Sequence, residues 1–118
     1  MTLHEQIYAQ AMVLAGTMTE TQSQLLKIFC SSAATSLVAR LQEEVTQEQC
    51  KLELISAGAL YALAALSEVD EKTNLQRIQV GDVTLIPGGR TAAIRCLRKQ
   101  ADILMEPYCV SGFVFRRV

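Results

Sequence analysis

Apolar residues recur at helical spacing through most of this chain, and one short stretch breaks the rhythm. Leu3, Ile7, Ala11 and Leu14 form one stripe, which predicts a first helix over residues 3–15 with Gly16 as its left-handed stop. A second stripe, Leu26, Phe29, Cys30, Ala33, Leu37 and Leu41, predicts a helix over 20–43 that leaves Gln22, Lys27 and Arg40 in water. The third helix, over 47–66, is apolar on nearly every side from residue 54 onward. A helix of that kind must be surrounded, so it is expected at the centre. Its small residues, Ala57, Gly58, Ala59, Ala62, Ala64 and Ala65, permit close approach. Complete enclosure is hard for a small monomer, which suggests a subunit contact. A fourth helix should begin near Arg90 or Thr91 and stop before Pro107. Its inner stripe is Ala93, Leu97, Ala101, Leu104 and Tyr108, with Arg95, Arg98, Lys99 and Asp102 outward.

Three of the four helix starts carry the same local signal. Thr2-x-x-Glu5, Thr19-x-x-Gln22 and Thr46-x-x-Gln49 each match a capping box, in which both side chains satisfy orphan backbone N–H groups. Three matches, each ahead of an apolar-periodic run, are hard to assign to chance.

The break falls at residues 76–85, where apolar and polar residues alternate. Ile78 and Val80 would share one face of an extended strand, and Arg77 and Gln79 the other. Gly81-Asp82 bends the chain before Val83-Thr84-Leu85, and Pro87-Gly88-Gly89 closes it. A lone hairpin is marginally stable in water. The segment must therefore pair with the tail Gly112-Phe113-Val114-Phe115, lie across the helices, or add to a neighbouring subunit. The fold expected is mainly α: a small four-helix domain with a short extended, β-hairpin-like segment between the third and fourth helices. Residues 1–118 form one domain.

Composition narrows the functional classes. Half the residues are apolar and the net charge is −1, which excludes a disordered chain and makes self-association plausible. No basic region followed by an apolar run marks a secretory signal after Met1, and the uncharged stretch at 54–66 is too short to span a bilayer. The charges are unevenly placed. Residues 1–70 hold three basic and eight acidic side chains, and residues 71–118 hold eight basic and four acidic ones. Opposite halves suit a polar contact between copies, and the basic half suits nucleic acid; ordinary solvated helix faces would produce the same pattern.

Little chemistry is legible. Cys30, Cys50, Cys96 and Cys109 lack metal-ligand spacing, and His4, the single histidine, stands alone in a first helical turn, so no metal or cofactor is expected. Cys30 and Cys96 fall at helical apolar positions, as small hydrophobes in a reducing compartment. No nucleophile has a base implied by sequence, and Glu43-Glu44 reads as a solvated cluster. Gly88-Gly89-Arg90-Thr91 lacks the pattern of a phosphate loop and reads as a turn. The second and third helices do not form a DNA-reading helix-turn-helix, because the third offers leucine, alanine and tyrosine where a recognition helix needs polar groups. No enzyme is expected.

The order of helices, a short Ile78-Gln79-Val80-Gly81-Asp82-Val83-Thr84 segment, and a last helix ending in Leu104-Met105-Glu106-Pro107-Tyr108 resembles the small head–tail connector (adaptor, or head-completion) proteins of tailed bacteriophages and prophages. The likeness covers the last two helices and the segment between them, and the first two in outline. The start at Leu3-His4-Glu5-Gln6-Ile7 and the tail at Phe113-Val114-Phe115-Arg116-Arg117 depart from the family pattern. The resemblance implies a subunit of a ring beneath the portal that extends the DNA channel and meets the next tail component. Assembly would occur in the bacterial cytoplasm, and the protein would end at the virion head–tail junction, with no membrane partner. On that reading Ile78, Val80, Val83, Leu85, Phe113 and Phe115 are oligomer contacts, and Arg77, Arg90, Arg95 and Arg98 approach the DNA path without reading its sequence. A tail-side completion protein, or a helical regulatory or antitoxin-like binding module, would share the helical outline.

Overall fold

A computed structural model describes residues 2–69, 79–80, 83–84 and 89–109 of the chain. Its elements in order are α1 (Leu3–Ala15), α2 (Glu20–Ala39), a 3-10 turn (Gln47–Cys50) running into α3 (Lys51–Val69), strands β1 (Gln79–Val80) and β2 (Val83–Thr84), and α4 (Gly89–Met105). The protein is mainly helical, as its periodicity requires.

All three capping boxes form. The Glu5 amide donates to Thr2 Oγ1 at 3.4 Å while Glu5 Oε1 accepts from the Thr2 amide at 2.8 Å. Thr19 and Gln22 repeat the exchange at 3.2 and 3.0 Å, and Thr46 and Gln49 at 3.4 and 2.9 Å. Gln22, expected in water, is buried because its side chain is held back over the cap of its own helix. α1 ends at Gly16, whose φ of +78° is a conformation L side chains rarely adopt, with its amide bonded to the Met12 carbonyl.

α3 is the centre. Residues Leu54, Ala57, Gly58, Ala59, Leu60, Ala62, Leu63, Ala64, Leu66 and Ser67 are all buried, and α1, α2 and α4 all pack on it. The helices of its own chain therefore supply most of the enclosure, while Leu52 and Val69 at its two ends stay exposed. α3 with its leading turn, Gln47–Val69, is long and apolar enough to cross a membrane, yet 56% of its 18-residue apolar window is buried inside the bundle. Each fully buried leucine there contributes roughly 2 kcal/mol through area removed from water.

Several expected boundaries shift, each for a tertiary reason. α2 stops at Ala39 with Arg40 as its cap, short of the expected 43, because Leu41 leaves to form an antiparallel bridge with Cys109. The Gln42 amide donates to the Tyr108 carbonyl at 3.0 Å, fixing that departure. α3 continues past Leu66 to Val69, and Ser67, expected in a polar connection, is buried with its hydroxyl donating to the Leu63 carbonyl at 2.8 Å. A serine satisfied by its own helix four residues back can be buried at little cost. The buried stripe of α4 runs Ala93, Leu97, Ala101, Met105 and on to Cys109, with Leu104 and Tyr108 only half-buried. In α1, Ala15 takes the place expected for Leu14, which is half-buried. Cys30 is fully buried as expected, and Cys96 only half.

Between α3 and α4 the backbone is extended at the expected place. β1 pairs antiparallel with β2, Gln79 opposite Thr84 and Val80 opposite Val83. The extended segment is therefore a hairpin with itself at these residues.

Candidate functional site

α4 carries the basic residues singled out in the sequence. Its buried stripe recurs every four residues, so Thr91, Arg95, Arg98, Lys99 and Asp102 fall on the opposite face and are exposed. Arg95, Arg98 and Lys99 together give this face a positive stretch that is open to solvent. Arg98 is also engaged by Glu68 of α3 in an ion pair, with both side chains about half exposed (46% and 43%). A surface pair of this kind contributes little to stability but directs the guanidinium. Arg90 lies in the first turn of α4; nothing of its side chain is described. Arg77, Ile78, Leu85, Phe113 and Phe115 lie outside the described residues, and Val80 and Val83 face one another in the backbone pairing of the hairpin.

Among the described residues, the Glu68–Arg98 pair is one of three side-chain polar contacts along the antiparallel α3–α4 seam. The Tyr61 hydroxyl donates to Asp102 Oδ1, and the Tyr108 hydroxyl donates to Glu53 Oε2 at 3.4 Å. Burial pushes the Asp102 carboxyl above its ordinary range, opposed by the positive charge of Arg40. The Glu53 charge, together with partial burial and the hydrogen bond itself, raises the Tyr108 hydroxyl. Glu53, Tyr61 and Glu68 were not singled out in the sequence. The available signal was a polar or aromatic residue interrupting an otherwise apolar helix at spacings of seven and eight.

Beside this seam a groove of about 230 Å³ opens between α2 and α3. It is lined by Phe29, Ser32, Ala33, Ser36, Leu37 and Arg40 from α2 and by Tyr61 and Ala65 from α3. Its lining combines apolar alanine, leucine and aromatic side chains with two serines and Arg40.

The remaining reactive groups are scattered. His4 lies against the Thr2 hydroxyl, 3.3 Å from Nδ1, on the exposed start of α1. Burial pushes the Cys30 thiol up to about 12 and raises Cys50 and Cys109 as well, so these three behave as small apolar side chains. The Cys50 thiol donates to the Thr46 carbonyl at 3.6 Å. Among the described residues no group of three His, Cys, Asp or Glu side chains comes together to hold a metal ion. Glu43 and Glu44 are exposed on the α2–α3 connection. This arrangement offers a surface that can bind, with a cationic helix face, an apolar groove and an extended arm. No family model, curated protein or solved structure matches the chain.

Proposed function

We propose that this protein is a structural subunit of a tailed bacteriophage or prophage, a head–tail connector that forms a ring under the portal and extends the DNA channel. The observation that carries the reading is the division of the chain into a helical body closed around α3 and an extended arm inserted between α3 and α4. A two-residue antiparallel ladder is too short to be stable by its own hydrogen bonds. Such an arm gains most by laying its edge on a neighbouring copy, through Ile78, Val80, Val83 and Leu85. The exposed α4 face supports the second half of the proposal. Arg95 and Lys99 are exposed, Arg98 lies beside them, and Arg90 stands earlier in the same helix, so DNA passing the ring would meet a non-specific cationic lining. The protein is not an enzyme on this reading. It assembles in the bacterial cytoplasm, ends at the virion head–tail junction, and has portal and tail-completion proteins as partners.

The test is to mix the purified protein with portal particles and image the product. A ring of added density on the tail-side face is expected, with loss of that ring for the doubly charged arm variant V80D/V83D. Portal particles left bare at micromolar protein would refute the connector assignment. Neutral substitutions R95Q and R98Q should leave the ring intact and weaken genome retention; unchanged retention would remove the arginines from the DNA path.

A further inference from the structure

We draw no further inference here: the strongest candidate, the largely apolar groove between α2 and α3 lined by Phe29, Ala33, Leu37, Arg40, Tyr61 and Ala65, carries nothing because nothing in the structure shows what covers it.

Discussion

Replacing Gly58 with alanine should destabilise this protein, although the same change in an exposed helix would stabilise it. Gly58 sits in the middle of α3 and faces Ile7 of α1, which is fully buried. A Cβ built at position 58 would lie 2.5 Å from Ile7 Cδ1, 2.9 Å from Cγ1 and 3.1 Å from Cγ2. Rotation about χ2 can move Cδ1 away. Rotation about χ1 cannot relieve Cγ1 and Cγ2 together, because both branch from the same β-carbon. Ile7 is fully buried, so α1 is expected to shift by roughly 1 Å to restore ordinary contact at 3.5–4 Å. Overpacking of this kind costs about 1–3 kcal/mol, with the upper part of the range expected where a branched side chain is trapped. Helix propensity returns about 1 kcal/mol for glycine to alanine. The net expectation is a loss of about 1–2 kcal/mol. In urea denaturation followed by circular dichroism, G58A should lower the midpoint by on the order of 1 M with an unchanged slope. The double variant makes the reasoning specific. I7A alone should cost about 2–5 kcal/mol through the cavity it leaves. Adding G58A to that background should be neutral or stabilising, since the new methyl enters vacated space, giving a coupling of about 1–3 kcal/mol between the two sites. A G58A chain as stable as the parent, or two additive changes, would refute the close packing of α1 on α3.

Two further outcomes follow from the titrating groups. The Thr2 backbone amide, and then its hydroxyl, bond the Glu5 carboxylate and hold it below its ordinary range. A lowered acid contributes stability that is present above the unfolded value near 4.5 and lost as pH falls through the folded value. The stability gap between the parent and E5Q should therefore narrow on acidification below pH 4.5, and a gap that stays constant would deny the charged cap. The cysteines should separate in alkylation: half-buried Cys96 reacts in the native state, whereas Cys30, fully buried with its thiol pushed up to about 12, is thiolate in roughly one molecule in ten thousand at pH 8 and reacts only on unfolding. Mass spectrometry showing Cys30 modified as fast as Cys96 would contradict the packing of α2.

Local chemistry made the helices legible. Thr2, Thr19 and Thr46 each act through atoms three residues away, so their capping boxes could be read without any knowledge of the fold. Gly16 and the proline at 107 likewise mark ends by backbone geometry alone, and the alternation at 78–84 places the extended pairing because side-chain period is a property of the strand itself. The interior stripes followed from helical period, with errors of one position where Ala15 and Met105 replaced Leu14 and Leu104. Those slips arise because a helix face is broad and the partner chooses which edge of it to cover. The candidate surface was legible in part: Arg95 and Arg98 were expected outward and are exposed, but the partner of Arg98 was not visible.

What the sequence determined by itself is every feature whose cause lies within one turn of helix or one pair of strand residues: element type, the three caps, the position of the arm, and the cationic character of α4. Tertiary structure decided where α2 ends, because the stop comes from Cys109 across the fold and not from a breaker at residue 40. It also decided that α1, α2 and α4 enclose α3, that Gln22 and Ser67 are buried, and that Glu53, Tyr61 and Glu68 meet Tyr108, Asp102 and Arg98 along one seam. Each depends on residues dozens of positions apart becoming neighbours, and periodicity along a chain carries no information about which distant face will cover it.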